Sequence, residues 1–290
     1  DDQMQDVRTV NWAKSELRKN HDKPFFLACG FYRPHLPWYV PKKYFDKFPL
    51  DEIILPEVKL DDLDDLPEYG KRFARERYSG SWGTDLNEGE RDHDLVIKYN
   101  QWKKGVQAYL ASISFVDTYV GELLDGLDKS KYAHNTIIVL WGDHGWHLGE
   151  KEHWRKQALW EDTTHVPFIV SYPKKIAKNS ICEYPVSFID IYPTLVDLAG
   201  IPKKEGLDGK SLKELLVNPS MEWNRPVLST YGKGNHAVRS GKWRYIQYRD
   251  GSSELYDHQN DPNEWYNLSD KEDSQEIVKR LKKVIPVKEK

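Results

Sequence analysis

The sequence predicts an α/β protein with a mostly parallel central sheet, followed by a small antiparallel sheet. Apolar residues recur every three or four positions across residues 100–128, which is the spacing of one buried helix face. This predicted helix leads through a short turn into the apolar run 137–141, which a glycine ends. Such a run is typical of a strand buried on both faces of a parallel sheet. Helix, turn and buried strand in succession form the repeating unit of α/β folds.

Other segments in the first part of the chain fit the same fold. Residues 4–19 have the apolar spacing of an amphipathic helix, and the apolar runs 25–29 and 166–173 predict two more strands. A helix is predicted at 191–199, with Asp190 as its N-cap. The predicted buried face of the helix at 100–128 consists of Val106, Tyr109, Leu110, Ile113, Val116, Val120, Leu123, Leu124 and Leu127.

The pattern changes after about residue 205, where glycines separate short apolar segments. These segments predict a small antiparallel sheet, closed by a basic helix at 273–284. The chain therefore divides into an α/β domain at residues 1–205 and a C-terminal subdomain at 206–290. The predicted strands of the subdomain are residues 226–231, 236–239, 243–249 and 254–256.

Composition excludes some classes of function. The 290 residues carry a formal net charge of −3, which gives no electrostatic reason to expect a nucleic-acid partner. No apolar run approaches the length of a membrane span. Eleven Trp and 17 Tyr suit either stacking on carbohydrate or ordinary use in a core. Cys29 and Cys182 have no spacing typical of a metal site.

Two polar residues follow the predicted central strand. Asp143 and His144 lie between two glycines just past the strand's C-terminal end, and ligands bind at that edge of open α/β sheets. A carboxylate oxygen and an imidazole nitrogen could form half of a metal site, although a plain polar turn has the same pattern. One Asp and one His cannot complete a calcium shell of about 6–8 oxygens.

A second polar cluster follows the predicted strand at 25–29. Arg33 and His35 lie in a loop that contains two prolines, and they could face the same sheet edge as Asp143. A loop histidine is more often an ordinary surface residue. Four side chains are thus expected to converge on one sheet edge: His35, Asp143, His144 and a cation from the loop 151–156. A lysine and a histidine in this set could neutralise an oxyanion and protonate a leaving group. It suits cleavage of a sulfate or phosphate ester.

The long irregular segment 39–95 is predicted to wrap one face of the domain or to shape a cleft. It contains the acidic run 61–65. Paired aspartates can bind calcium, but this run lacks EF-hand spacing, and a solvated face is the preferred interpretation.

The run GDHGWHLGEKEHWRK at 142–156 resembles the type I sulfatases of the alkaline-phosphatase superfamily, most closely the iduronate-2-sulfatase-like branch. The resemblance covers about residues 20–270, with the motifs in the family's order. Upstream it includes PFFLACGFYRPHLPWYVPKKYFDKFPL, and downstream SFIDIYPTLVDLAGIP, LDGKSL and ELYDHQNDPNEWYNL. It implies an alkaline-phosphatase-like sandwich and an enzyme that hydrolyses sulfate esters, on a sulfated sugar or glycosaminoglycan-like polysaccharide.

The resemblance also assigns roles to individual residues. Asp143 and His144 match the family's second pair of metal ligands, around a calcium ion. Lys156 matches the lysine that contacts the substrate sulfate. His35 matches the histidine that faces the ester oxygen, where it would position the sulfate or protonate the leaving group. Trp146 lies where the wall of the substrate pocket is expected.

One position departs from many relatives, which have a histidine where this chain has Lys151. His153 is expected to take over part of that role in substrate binding. The family acts in periplasmic, secreted or lysosome-like compartments, which is the location that the resemblance implies.

The larger departure concerns the nucleophile. These sulfatases use a formylglycine made within C-x-P-x-R or S-x-P-x-R, and no segment of this sequence fits; Cys29, for example, is followed by Phe31 where proline is needed. The family's first pair of metal aspartates is also absent. The chain is therefore expected to be the C-terminal two-thirds of a sulfatase, inactive and poorly soluble by itself. The alternatives are a phosphodiester or phosphonate monoester hydrolase of the same superfamily, or an inactive glycan-binding pseudo-enzyme.

Overall fold

The computed structural model describes residues 1–75, 91–173 and 175–286. They form two compact units, one from Asp1–Pro56 and Leu95–Thr136 and the other from Glu57–Asp94 and Ile137–Lys290. The predicted boundary after residue 205 does not coincide with this division. The reason is that residues 158–160 share a core with the C-terminal sheet. Part of the predicted irregular segment 39–95, residues 76–90, lies outside the described residues.

In the described chain five α-helices precede the first strand, and four consecutive strands form the C-terminal sheet. None of the described helices is long and apolar enough to cross a membrane. The α-helices are α1 Gln5–Leu17, α2 Lys42–Phe45, α3 Glu68–Ala74, α4 Asp92–Lys98, α5 Trp102–Asp128, α6 Glu161–Thr164, α7 Ile191–Leu198, α8 Lys213–Val217 and α9 Gln275–Lys282. The strands are β1 Ile138–Trp141, β2 His147–Leu148, β3 Trp154–Arg155, β4 Phe168–Ser171, β5 Val227–Thr230, β6 His236–Ser240, β7 Trp243–Gln247 and β8 Ser253–Asp257. Short 3-10 turns are Leu50–Glu52, Glu150–Glu152, Phe188–Asp190 and Glu272–Ser274.

The first unit is built on the packing of α1 against α5. Val7 and Val10 of α1 are buried with Ala111, Phe115 and Tyr119 of α5 in one apolar cluster. Both helices lie where the sequence predicted them. The apolar stripe of α1 predicted its buried face correctly, because Val7, Val10, Ala13 and Leu17 are all buried.

The buried face of α5 differs from the prediction. Ala111 and Phe115 are fully buried, whereas Ile113 and Leu124 of the predicted face are 41% and 38% exposed. Apolar residues cover more than one side of this helix, and periodicity alone does not say which side meets α1. Helices α1 and α2 pack against the side of α5 that carries Phe115, and this side is therefore the buried one.

Strand β1 follows α5 as predicted, but its pairing differs. It pairs antiparallel with β4, with Leu140 opposite Ile169. Trp141 and Ile169 are 47% and 58% exposed, so a strand buried on both faces of a parallel sheet is wrong for the described residues. An apolar run specifies an extended strand, but neither the direction of its partner nor what covers its faces.

The strand predicted at residues 25–29 is also wrong. The described structure assigns it no ladder partner, and Phe26 is 81% exposed. A strand requires a neighbouring strand to accept and donate its backbone hydrogen bonds, and apolar composition cannot supply one.

The C-terminal antiparallel sheet is confirmed, with its strands in the order β5-β6-β7-β8. Its two faces enter different cores because alternate side chains of a strand point to opposite faces. Ile246 and Tyr256 pack with Trp160 in one apolar cluster, whereas Tyr245 and Leu255 pack with α9 in another. The first of these cores joins the sheet to residues 158–160, which is why both belong to one unit.

Helix α7 begins at a buried carboxylate. Asp190 occupies the N-cap position of α7 as predicted, but its side chain makes no capping hydrogen bond to that helix. It accepts hydrogen bonds from the backbone N–H of Ser187 at 3.0 Å and of Lys210 at 2.8 Å. The guanidinium of Arg225 donates to it at 2.6 Å. Asp190 is fully buried, so it joins the start of α7 to two later segments of the chain. Gly200, in the left-handed region, ends the helix region as its position predicts.

We predict that Asp190→Asn destabilises the protein by about 3 kcal/mol, because it leaves the Arg225 charge without its buried partner. Asp197→Asn, on the same helix, is the matched control. Its carboxylate pairs with the exposed Lys213 at 3.1 Å, and an exposed pair contributes less than about 1 kcal/mol. Urea unfolding of both variants gives the comparison. Equal losses in the two would contradict the structural role assigned to Asp190.

Candidate functional site

The turn 142–146 follows β1 and is fixed by backbone contacts to a later segment. The N–H of Gly145 donates to the carbonyl of Thr163, and that of Trp146 to the carbonyl of Asp162, both at 2.7 Å. A Cβ atom at Gly145 would lie 1.9 Å from the Asp162 carbonyl oxygen. The close approach therefore requires glycine at this position.

Asp143 and His144 present a pair of ligand atoms on this turn. The Asp143 side chain is 84% exposed. Nδ1 of His144 lies 2.9 Å from the Gly145 carbonyl, which can only accept, so Nδ1 carries the proton and Nε2 keeps its lone pair. This is how metal-binding histidines are usually oriented. Nε2 lies 3.5 Å from Asp143 Oδ2, close to the roughly 3.4 Å between adjacent ligands bound about 2.4 Å from one cation.

Trp146 lies beside this pair. Its ring stacks against the His144 imidazole, with 6.2 Å between centroids and 29° between planes. The structure therefore brings Asp143, His144 and Trp146 together. The predicted role of Trp146 as a pocket wall stays a prediction.

Lys156 lies between β3 and α6 and is half-buried. Within residues 1–75, 91–173 and 175–286, its ammonium group has no hydrogen bond or ion pair. A lysine ammonium group without an internal partner has three N–H donors to offer a ligand. Its predicted contact with sulfate stays a prediction.

Lys151, at the other end of the predicted cationic loop, is a structural residue. Its ammonium group is buried, lies 2.9 Å from Asp62 and also donates to the Glu264 carbonyl. It lies over the rings of Trp160 and Tyr256, at 5.7 and 5.3 Å from their centroids. The solvated face predicted for the acidic run 61–65 is therefore wrong at Asp62, which is only 5% exposed.

His153 occupies the interior rather than the surface, with 3% exposure. Its Nδ1 lies 3.2 Å from the carbonyl of Ala74, and its ring packs edge-on against Trp160. Burial lowers the pKa of His153 to about 4, so it is neutral at pH 7. Its role in substrate binding stays a prediction, and any such role would be exerted by a buried side chain.

The loop that carries these residues has a constrained backbone. Lys151, Glu152 and Arg155 have φ values of 53°, 53° and 75°, in the left-handed region that side chains other than glycine disfavour. Ion pairs offset that cost. Arg91 contacts Glu152 at 2.6 Å, and Arg155 contacts Asp92 at 2.9 Å.

His35 lies in the first unit, on a loop held by a buried carboxylate. Asp6 accepts from the N–H of Tyr32 at 2.7 Å and of Arg33 at 3.3 Å. Nδ1 of the exposed His35 lies 2.6 Å from the Leu36 carbonyl, so it carries the proton and Nε2 can face a ligand. Since Asp143 belongs to the second unit, the convergence of His35 with Asp143 stays a prediction.

Sequence reasoning missed a second cluster of ligand types beside the turn. His147, Glu150 and Asp162 place one nitrogen and two carboxylate oxygens within 4.8 Å of one another. Burial, followed by the charges of Glu150, Glu264 and Glu161, raises the pKa of Asp162 to about 7. The three-residue spacing of His147 and Glu150 was a weak signal for this cluster, and nothing in the sequence pointed to Asp162.

We predict that Gly145→Ala destabilises the protein by about 1–3 kcal/mol, because the new methyl group forces the turn away from the Asp162 carbonyl. Gly121→Ala, in α5, is the control. Its Cβ would meet nothing within 4 Å, and alanine favours a helix by up to about 1 kcal/mol. Thermal unfolding of both variants measures the contrast. A Gly145→Ala protein as stable as the wild type would show that the backbone contact is not needed.

We predict that Asp162→Asn makes stability less dependent on pH. The folded state raises the pKa of Asp162 from about 3.8 to about 7, so it binds more protons than the unfolded state in that interval. Stability from this group is therefore present below pH 4 and lost as the pH rises to 7. Urea unfolding from pH 4 to 8 in a chelator should show a smaller decline for the variant than for the wild type. Parallel curves would contradict the shift.

Two family models match the chain. The model described as "Sulfatase" matches residues 2–201, and the model "N-sulphoglucosamine sulphohydrolase, C-terminal" matches residues 149–290. Among curated relatives, a sulfatase of Formosa agariphila is 42% identical over 98% of this chain and 54% of its own length. Iduronate 2-sulfatase of Homo sapiens is 35% identical over 64% of this chain and 38% of its own length. The chain thus spans about half the length, or less, of these relatives.

Solved structures confirm the predicted fold class, apart from the strand pairing corrected above. One, described as a complex with its substrate D-glucosamine-2-N,6-O-disulfate, has a TM-score of 0.78 and 23% identity, over 96% of this chain and 68% of its own. A phosphonate monoester hydrolase from Silicibacter pomeroyi has a TM-score of 0.81 and 20% identity, over 98% and 59%. The fold and the two matched models lead to one conclusion: the chain belongs to the sulfatase family.

Proposed function

We propose that this chain supplies the metal-binding and sulfate-binding part of a sulfatase active site. The observation that carries the proposal is the pair on the turn after β1. Nε2 of His144 keeps its lone pair and lies 3.5 Å from the exposed Asp143 carboxylate. The nucleophile would come from residues outside these 290, because no segment here fits the formylglycine pattern.

The pair fits a divalent cation, and we propose Ca²⁺. Asp143 would contribute an oxygen and His144 its Nε2, while oxygens from outside this chain would complete the shell of about 6–8 ligands. When bound, the ion would stabilise negative charge on the sulfate. The Gly145 carbonyl holds the His144 imidazole in the tautomer that this role requires.

Lys156 would neutralise negative charge on the sulfate, and His35 would donate a proton to the leaving group. The Lys156 ammonium group, which has no partner among the described side chains, would neutralise a sulfate oxygen. His35 donates through Nδ1 to Leu36, so in its protonated form Nε2–H would point to the ester oxygen and donate to the leaving group. Trp146 and, from its buried position, His153 would shape the substrate pocket.

A sulfated carbohydrate is the substrate class that we propose. The curated relatives include iduronate 2-sulfatase, and one solved neighbour is described with a disulfated glucosamine as its substrate. A periplasmic, secreted or lysosome-like location follows from the same proposal. The phosphonate monoester hydrolases share the fold, but no described contact of the site favours a phosphonate over a sulfate.

We predict that Lys156→Ala weakens binding of a sulfated disaccharide by about 10-fold or more, which corresponds to about 1.4 kcal/mol for the loss of one charge contact. Calorimetric titration in calcium measures it. The exposed Lys204 provides the control variant Lys204→Ala, which should bind like the wild type.

The same titration separates the alternatives. Binding that survives Lys156→Ala, His35→Ala and calcium removal would indicate a glycan-binding surface elsewhere and contradict the proposal. Tighter binding of phenylphosphonate than of a sulfate ester would favour the phosphonate monoester alternative.

A further inference from the structure

The second cluster is organised around a buried histidine without hydrogen bonds. His147 is 0% exposed, and neither of its ring nitrogens has a hydrogen-bond partner among the described residues. A buried polar atom without a partner costs about 1–3 kcal/mol, so such atoms in native proteins usually contact a water molecule or an ion. The ring is fixed edge-on against His153 and Trp160, so it cannot easily turn away to find water.

The distances around His147 are those of ligands rather than of hydrogen bonds. Nδ1 lies 3.7 Å from Asp162 Oδ2 and 4.0 Å from Glu150 Oε2. Both are too long for a hydrogen bond. They come within a few tenths of an ångström of the roughly 3.4 Å expected between ligands about 2.1 Å from a tetrahedral zinc ion. Movements of both carboxylate side chains, that of the half-exposed Asp162 and that of Glu150, would close the remaining gaps of about 0.3 and 0.6 Å.

In another cluster of the same residue types, the protein's own arginine side chains neutralise the carboxylates. Glu161, His258 and Glu264 also bring ligand atoms together. There, however, Arg244 contacts Glu264 at 2.7 Å and also pairs with Glu161. Arg239 adds a further contact to Glu161 at 3.4 Å. Guanidinium groups thus neutralise those carboxylates, and no metal ion is needed.

No such cation serves the cluster at His147 among the described side chains. Lys151 is close enough for its charge to act on His147 and Asp162, but its ammonium group donates to Asp62 and to a backbone carbonyl. Glu150 is tied only to the N–H of Leu148, at 2.6 Å. Two carboxylates and an imidazole therefore face one another without a directly paired cation from the described residues.

We propose that His147, Glu150 and Asp162 form a zinc site, separate from the calcium pair at Asp143 and His144. Zinc binds imidazole nitrogen and carboxylate oxygen, and three protein ligands leave the fourth tetrahedral position open, as in catalytic-type zinc sites. Asp162 is half-exposed, which gives the ion a path from solvent and leaves one position open to water.

The ion would stiffen the frame of the active site. It would join the segment that leaves the turn, at His147 and Glu150, to Asp162, whose carbonyl accepts from Trp146 at 2.7 Å. The segment that presents Asp143 and His144 would then be fixed at both of its contacts, by backbone hydrogen bonds and by a metal crosslink.

Zinc titration of the metal-stripped chain against a chromophoric chelator tests the proposal, with Co²⁺ absorption on the wild type as an independent measure of imidazole ligation. We expect one zinc ion per chain, bound at least 10-fold more weakly by Asp162→Asn and by Glu150→Gln. Asp143→Asn should bind zinc like the wild type, which separates this site from the calcium pair. Glu150→Gln keeps an oxygen for the Leu148 N–H, and metal-free thermal melts verify that each variant is folded.

Several outcomes would overturn the zinc site. These are a wild type that retains no stoichiometric zinc, folded Asp162→Asn and Glu150→Gln variants that bind it unchanged, or a loss of zinc in Asp143→Asn alone. A Co²⁺ complex with the spectrum of the hydrated ion would also contradict it.

Discussion

The candidate site depends on one backbone contact, in which the turn after β1 is hydrogen-bonded to the start of α6. Gly145 donates to the carbonyl of Thr163 and Trp146 to that of Asp162, both at 2.7 Å, and the absence of a side chain at Gly145 allows that approach. Asp143 and His144 are presented by this turn, so their geometry is only as fixed as the segment at 160–164.

That segment is in turn held by the C-terminal sheet. Trp160 donates to the buried carboxylate of Glu254 at 2.8 Å, and Arg244 of β7 donates to the Leu159 carbonyl at 3.0 Å. The backbone N–H of Glu161 donates to Glu264 at 2.9 Å. The antiparallel sheet therefore supports the ligand pair through buried polar contacts, whose loss would leave charges unpaired in the interior. This explains why the described chain does not divide at residue 205.

Periodicity and composition predicted the elements well and their surroundings poorly. The stripes of α1 and α5 and the glycine-separated strands of the C-terminal sheet are local signals, and these elements were found. The parallel pairing of β1 and the strand at 25–29 were wrong, because strand partners are chosen over long sequence separations. Within the site, a short motif was enough to predict Asp143 and His144 as ligands, and the structure places both on one turn. The burial of Lys151 and Asp62 could not, since their pairing joins residues 89 positions apart.

The two clusters of a histidine with two carboxylates show why a ligand set cannot be read from residue types alone. Glu161 and Glu264 are neutralised by Arg244 and Arg239 from the sheet, so the chain itself provides the positive charge. Glu150 and Asp162 lie close by with no such arginine among the described residues, and burial together with the neighbouring acidic charges raises the pKa of Asp162. The difference arises because strands β6 and β7 supply Arg239 and Arg244 to the cluster of Glu161 and Glu264. A carboxylate pair beside a buried imidazole therefore supports a proposed metal site only where no guanidinium neutralises it. The same residue types beside a guanidinium form a structural ion-pair network.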